Sequence, residues 1–173
     1  NYGEDFDKLY SKYEKELPHL IKIKARALMS KIIEAQIETG QPYMLYKDAV
    51  NKKSNQQNIG VIKSSNLCAE IVEYSDKNQT AVCNLASIAL PKFVDKNNKD
   101  YDYKKLYETA KLATKNLDRV IDINFYPTSK ADTSNNLHRP IGLGIQGLSD
   151  VFFKMAIAHD GKDAAKINKL IFE

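Results

Sequence analysis

The chain has 173 residues, of which 43% are hydrophobic and 28% charged, and its net charge at pH 7 is +4. This balance excludes a disordered or collagen-like chain, and the length suffices to bury a hydrophobic core. No apolar run approaches the ~20 residues of a membrane span, and the scattered lysines indicate a solvated surface rather than a nucleic-acid footprint.

The first third of the chain predicts two helices. Residues 4–17 are charged and rich in tyrosine, and they predict a short exposed helix that stops at Pro18. Residues 22–39 carry apolar side chains on one helical face, and Gly40 is a strong stop after them. The apolar run at 43–46 that follows is typical of a strand.

The middle of the chain is predicted to be loops and extended segments. Residues 51–60 have the Asn, Gln and Lys content of a loop. Residues 61–74 contain two β-branched stretches, and a charged turn separates them from an apolar run at 80–90, which Pro91 closes.

The last third predicts two further helices, at 103–122 and 162–173, with apolar residues spaced by three and four. A polar stretch and His138-Arg139-Pro140 lie between them. Strands that alternate with long helices indicate an α/β fold. The missing initial Met and the uncapped last helix predict a piece of a larger protein.

Residues 142–147, Gly-Leu-Gly-Ile-Gln-Gly, match the dinucleotide-binding pattern G-x-G-x-x-G. That pattern has meaning only after a strand and before a helix, with an acidic residue about 20 positions later. Pro140 leaves no room for a strand of normal length, and Asp163 falls inside the predicted last helix. We therefore interpret the glycines as close helix packing and a tight turn made by small residues, and keep a nicotinamide or flavin oxidoreductase as the alternative.

Asn66, Cys68 and Glu70 stand two residues apart. In an extended segment their side chains face one side, which brings an amide, a thiol and a carboxylate to one substrate. These groups can hold hydroxyls, act as nucleophile or hydrogen-atom donor, and act as general base. The alternatives are a strand edge with a buried cysteine and two solvated polar residues, or a non-catalytic helical interaction module.

Cys83, the second thiol, lies fifteen positions after Cys68 in an apolar run. Both are interpreted as small buried hydrophobic residues, or as a disulfide if the two runs form adjacent strands. Two cysteines are too few for a disulfide-stapled secreted protein, which favours a reducing, cytoplasmic location. We expect no metal site, because the three histidines have no zinc-ligand spacing.

Four segments resemble the large, catalytic subunit of class I ribonucleotide reductase, most closely its eukaryotic form. Residues 64–71 (SSNLCAEI) and 81–87 (AVCNLAS) are similar to its active-site segments, and 38–44 and 138–144 to two others. The resemblance runs through essentially the whole chain. It implies an α/β fold, a helix-rich central part of a ten-stranded α/β barrel truncated at both ends, with the active-site cysteine on an inner finger loop.

The resemblance also implies a role for each candidate residue. Cys68 would be the transient thiyl that takes the 3′ hydrogen atom, Glu70 the base for the 3′-hydroxyl, and Asn66 a hydrogen-bond partner of the substrate's hydroxyls. Cys83 would be one half of the redox-active disulfide. A hydrogen-atom donor should be a neutral thiol, so we expect an apolar, water-excluding pocket around Cys68.

The implied substrate is a ribonucleoside diphosphate, reduced to its 2′-deoxy form. The implied partners are a small radical-generating subunit with a di-iron tyrosyl radical, thioredoxin or glutaredoxin, and further copies of the full-length chain, with neither a membrane nor a nucleic-acid polymer. ATP and dNTP effector sites and the partner cysteine of Cys83 would lie outside this chain. We therefore expect the chain alone to bind no cofactor and to be inactive. An enzyme of another reductase class, acting on triphosphates, is disfavoured by the eukaryote-like segments.

Overall fold

The computed structural model describes residues 1–17, 19–97 and 99–173. This part of the chain divides into two compact units, Asn1–Asn78 and Gln79–Glu173. Pro18, the predicted stop of the first helix, lies outside the described residues. None of the described helices combines the length and the apolar character needed to cross a membrane.

The first unit contains α1 (Glu4–Glu16), α2 (Ala25–Thr39) and α3 (Lys47–Lys53). The first two were predicted, and α2 ends at Gly40, whose left-handed φ of 74° lets its N–H donate to the Gln36 carbonyl. α3 was not predicted, because its polar sequence resembles a loop. The strands expected at 43–46 and within 61–74 are wrong, since the described residues of this unit form no strand.

In the first unit, side-chain amides form hydrogen bonds to the backbone of distant segments. The buried Asn51 amide donates to the Ile62 carbonyl at 3.0 Å and accepts from the Ile62 N–H at 2.8 Å. Further along, the Gln56 side chain accepts from the Tyr74 N–H at 2.7 Å. The loss of hydration, together with the Asp76 carboxylate, raises the pKa of Tyr74. These bonds hold the irregular segment after α3 in place.

The second unit is built on two parallel strands joined by a helical crossover. The pairing is in register from Asn84 opposite Ile141 to Ala89 opposite Gln146. In chain order its elements are β1 (Asn84–Ala89), a 3-10 helix (Leu90–Phe93), α4 (Tyr103–Ile123), α5 (Ser129–His138), β2 (Ile141–Gln146), α6 (Leu148–Lys154) and α7 (Lys162–Phe172). The helices predicted at 103–122 and 162–173 are confirmed as α4 and α7.

The hydrophobic core of the second unit lies where β1, α4, α6 and α7 meet. The buried Tyr101 hydroxyl donates to the Leu90 carbonyl at 3.3 Å, and burial raises the pKa of Tyr101 to about 12. The buried residues of this hydrophobic core are Ile88, Leu90, Phe93, Tyr101, Leu106, Val151, Phe152, Ala164 and Ile167. The expected α/β fold class is confirmed to the extent that the described residues contain both helices and paired strands. The described residues contain two paired strands, and they do not show the ten-stranded barrel or the finger loop.

The glycine motif lies in the strand itself, contrary to the prediction that Pro140 excludes one. Pro140 lacks only an N–H, and its carbonyl accepts from the Asn84 N–H at 3.4 Å, so β2 begins directly after it. Two of the three glycines lie within β2, whereas a dinucleotide-binding loop follows its strand. The predicted tight turn is confirmed at Gly147, whose φ is 79°. The close packing at Gly142 is against Leu85 on the neighbouring strand, and not against a helix as expected.

Arg139 ties the start of β2 to α4. Its guanidinium donates to the Asp118 and Asp122 carboxylates at 2.8 Å each, and to the Asp118 carbonyl at 2.7 Å. The hydrogen bond from Arg139 lowers the pKa of Asp122, and the same bond raises the pKa of Arg139. The residue before β2 is thereby fixed by charge-assisted bonds.

This contact predicts a loss of stability in acid. Because the folded pKa of Asp122 lies below its ordinary value of 3.8, the stabilisation is complete above that value and is lost as the pH falls through the folded pKa. We expect Asp122→Asn to lower the unfolding temperature at about pH 6 and to have a smaller effect near pH 3. Thermal unfolding of both proteins across this range measures it. A difference that stays constant with pH would contradict the prediction.

Candidate active site

Residues 66–69 form a turn. The Ala69 N–H donates to the Asn66 carbonyl at 3.2 Å, and Ala69 has a left-handed φ of 68°. The extended conformation assumed for the alternation of Asn66, Cys68 and Glu70 is therefore wrong. A left-handed residue reverses the chain where a strand would continue it.

Two side chains close the base of this turn. The Asn66 Oδ1 accepts from the Ile71 N–H at 3.0 Å, and the Ser65 hydroxyl donates to the Ile71 carbonyl at 2.5 Å. Cys68 and Glu70 thus lie in a loop closed at both ends by hydrogen bonds. The three predicted residues share one closed turn, so their proximity comes from loop closure and not from a pleated strand.

The turn is open to solvent in the described structure. Asn66, Cys68 and Glu70 are all exposed, and Leu67 beside the thiol is 80% exposed. The described residues of this unit therefore do not form the apolar, water-excluding pocket that was expected around Cys68.

The hydrogen bonds of Asn66 determine which atom of its side-chain amide can contact a ligand. Its Oδ1 accepts from the Ile71 N–H at 3.0 Å, which occupies the acceptor side of the amide. The Nδ2 group is left to donate to a ligand, and the Glu70 carboxylate can accept. An amide donor and a carboxylate acceptor on either side of a thiol suit a ligand with neighbouring hydroxyl groups.

Cys83 lies in the second unit, immediately before β1, and is partly buried. A Cβ placed on Gly142 would lie 3.3 Å from the Cys83 Sγ, so the sulfur occupies space that a side chain at that position would need. Both cysteines are thiols in the structure. The condition set for a Cys68–Cys83 disulfide, adjacent strands, is not met, because the residues around Cys68 form a turn.

The comparison with known families decides what kind of chain this is. The family model of the ribonucleotide reductase barrel domain matches residues 1–173. The chain belongs to this family. The resemblance found in the sequence is thereby confirmed over the whole length of the chain.

Curated relatives of this reductase family cover almost all of the chain. Over 172 residues, this chain is 54% identical to the ribonucleoside-diphosphate reductase large subunit of Plasmodium falciparum. The aligned region covers 99% of this chain and 21% of the relative. The large chain of Neurospora crassa is also 54% identical, with 18% of its length covered, and the Danio rerio large subunit is 52% identical, with 22% covered. The chain spans about a fifth of the length of these relatives.

A buried polar cluster behind Cys83 was not found by sequence reasoning. Asn84 and Asn135 are buried, and their side chains are joined at 3.2 Å across 51 positions of sequence. An asparagine within the apolar run at 80–90 is the one signal that could have pointed to it. In the described part of the chain, no group of three or more His, Cys, Asp or Glu side chains is placed to hold a metal ion.

Proposed function

We propose that this chain is the central part of the catalytic barrel of a ribonucleoside-diphosphate reductase large subunit and carries its radical cysteine. The activity is the reduction of ribonucleoside diphosphates to 2′-deoxyribonucleoside diphosphates for DNA synthesis, in the cytoplasm. The family match over residues 1–173 carries the proposal. The closed turn around Cys68 supports it, because it holds the amide, thiol and carboxylate of the proposed chemistry within five residues.

In the proposed reaction, the Cys68 thiyl takes the hydrogen atom from C3′ of the ribose, and Glu70 takes the proton of the 3′-hydroxyl. The 2′-hydroxyl leaves as water. Two thiols, Cys83 and a cysteine elsewhere in the subunit, supply two electrons and two protons and end as a disulfide, and Cys68 returns its hydrogen atom to C3′. The sum is one ribonucleotide and two thiols converted to one deoxyribonucleotide, one disulfide and water.

The polarity of the turn matches these roles. The Nδ2 of Asn66 donates to a ribose hydroxyl, and that hydroxyl passes its own proton to the neighbouring carboxylate. A general base has to reach the proton that it removes, and Glu70 follows the thiol by two residues in the same turn. Asn66 therefore acts both on the substrate and on the loop that carries the thiol.

The remaining parts of the reaction come from outside this chain. A small subunit with a di-iron tyrosyl radical supplies the radical, and thioredoxin or glutaredoxin reduces the disulfide. ATP and dNTP effectors bind elsewhere in the full-length subunit, which works as a dimer or a larger oligomer. We propose that the chain by itself binds no cofactor and is inactive.

The alternative oxidoreductase function is disfavoured by the position of the glycines inside β2. It predicts binding in a titration with a nicotinamide or flavin dinucleotide. A helical interaction module predicts that Cys68 and Glu70 can be replaced without loss of function. A reductase of another class predicts reduction of triphosphates in place of diphosphates.

The direct test is an assay of the full-length subunit with its radical-generating partner and a dithiol reductant. We expect ribonucleoside diphosphates to be converted to deoxyribonucleoside diphosphates, and the 173-residue chain assayed alone to form none. A full-length protein that reduces only triphosphates, or forms no deoxyribonucleotide, would overturn the proposal.

Replacement of Cys83 by serine tests the reducing thiol. We expect Cys83→Ser in the full-length subunit to form no deoxyribonucleotide, because one of the two thiols that supply the electrons and end as the disulfide is missing. Removal of the C3′ hydrogen atom by Cys68 precedes the reduction, so that step should survive in the variant. Rapid-quench measurement of deoxyribonucleotide against time distinguishes this from the wild type. Continued turnover at the wild-type rate would remove Cys83 from the reaction.

A further inference from the structure

We propose that α5 is the element that positions Cys83, and that Asn135 is its central positioning residue. This inference rests on the proposed function, in which Cys83 is a reducing thiol. The segment 79–84 contains Cys83, and residues on both sides of the thiol contact α5. These contacts lie near the start of the helix, in its second half and at its end. A reducing thiol has to be presented in a fixed place to its partner sulfur, because disulfide bonds tolerate only a narrow geometry.

Two of the contacts are made before Cys83 in the chain. The Thr80 N–H donates to the Lys130 carbonyl in the first turn of α5 at 3.2 Å. The Gln79 Oε1 lies 2.7 Å from the Nε2 of His138, the last residue of the helix. The segment that leads to Cys83 is therefore attached to both ends of α5.

The third contact is made directly after Cys83. The Asn84 Nδ2 donates to the Asn135 Oδ1 at 3.2 Å and to the Pro140 carbonyl at 3.1 Å. The Asn135 Nδ2 donates to the Tyr126 hydroxyl, which donates to the Ile121 carbonyl at 2.7 Å. A continuous chain of hydrogen bonds thus runs from the neighbour of the thiol to the end of α4.

Burial gives this chain of bonds its strength. Asn135 is 0% exposed and Asn84 is 7% exposed, so water does not compete for their amides. The buried side chains of α5 are Ala131, Ser134 and Asn135, none of them large and apolar. The helix therefore packs through small and polar groups, which fix geometry more sharply than an apolar contact does.

The experiment uses the full-length subunit, reduced with dithiothreitol and then exposed to iodoacetamide. Mass spectrometry of the peptides gives the alkylation rates of Cys83 and Cys68 in the same molecules. Asn135→Leu is expected to raise the ratio of the Cys83 rate to the Cys68 rate about three- to tenfold, the change for one restraining hydrogen bond. Asn136→Leu is the matched control, because its amide bonds only to Asp132 within α5. Its ratio should equal the wild type.

Gln79→Ala provides a second variant, which removes the bond to His138 at the end of α5 and leaves Asn135 in place. It should move the ratio in the same direction by a smaller factor. An unchanged ratio in both variants, or an equal rise of the two rates, would overturn the proposal. The alkylation ratio does not depend on turnover. The ratio can stay unchanged while Cys83→Ser loses turnover, or rise while Cys83→Ser keeps turnover, so failure of this inference is distinguishable from failure of the proposed function.

Discussion

Replacing Cys68 by serine is expected to abolish deoxyribonucleotide formation by the full-length subunit. In the proposed reaction the thiol carries a hydrogen atom to and from C3′. A serine O–H bond is much stronger than a thiol S–H bond, so a serine cannot take part in this exchange. The size of serine is close to that of cysteine, and Cys68 is exposed, so the fold should not change. The expected activity is the background of the assay, in the first turnover as well as later ones.

Cys83→Ser is the control that separates the two thiols. It keeps the removal of the C3′ hydrogen atom in our scheme and loses the reduction that follows. Neither variant should therefore form deoxyribonucleotide, but a substrate that carries tritium at C3′ should have that bond cleaved by Cys83→Ser and left intact by Cys68→Ser. Sustained turnover by Cys68→Ser would show that the radical assignment is wrong and would favour the interaction module.

Replacing Gly147 by alanine is expected to cost at least about 2 kcal/mol of unfolding free energy. Its φ of 79° is unfavourable for any residue with a Cβ, by about 1–2 kcal/mol. The new methyl would also lie 2.7 Å from the ring of Pro91, and overpacking costs about 1–3 kcal/mol. A proline ring cannot turn away, so the turn between β2 and α6 has to shift. For a chain of 173 residues, the unfolding temperature should fall by about 2–4 °C for each kcal/mol.

Gly144→Ala is the matched control, within β2 and three residues before Gly147. Its new Cβ would lie 3.8 Å from the Ala86 carbonyl oxygen, an ordinary contact, and its φ is not left-handed. We expect its unfolding temperature to stay close to that of the wild type. Thermal unfolding followed by circular dichroism compares the two variants. Equal stability would mean that the turn yields easily and that Pro91 does not constrain it.

The helices that could be predicted are those that show an apolar periodicity or a clear stop signal. α4 buries Leu106, Leu117 and Ile121, and its regular spacing is visible in the sequence. α5 escaped prediction because it buries Ala131, Ser134 and Asn135, which leave no apolar stripe. Its start at the Thr128 cap, which accepts from the Ala131 N–H, is a signal that a capping search could have found.

The strand and turn assignments depended on contacts that sequence does not show. β2 was missed because Pro140 was interpreted as a strand breaker. Proline is tolerated directly before a strand, where no hydrogen bond from its backbone nitrogen is needed. The turn at residues 66–69 was missed because the bonds of Ser65 and Asn66 to Ile71 are made by side chains. Apolar alternation is a weak guide where loop closure decides the backbone.

The candidate site stays a prediction as a set of residues, and the geometry expected for it was wrong. Asn66, Cys68 and Glu70 were proposed from residue type and spacing on an extended segment, and the structure places them in a loop closed by hydrogen bonds to Ile71. The cluster of Asn84, Asn135 and Tyr126 was not predictable, because its members are separated by up to 51 positions and bond only in the folded chain. Long-range polar pairs of this kind carry no periodic signal.

The left-handed Ala69 affects the mobility of the loop around Cys68 more than the free energy of unfolding. Glycine would adopt this φ without strain, but it would also gain freedom in the unfolded chain, and each effect is worth about 1 kcal/mol. In Ala69→Gly these effects nearly cancel in the free energy of unfolding, while the loop beside Cys68 becomes more mobile. A selection for thermal robustness would pass such a change unnoticed. Under the chemistry proposed for Cys68, a selection for catalytic rate would act against the same change.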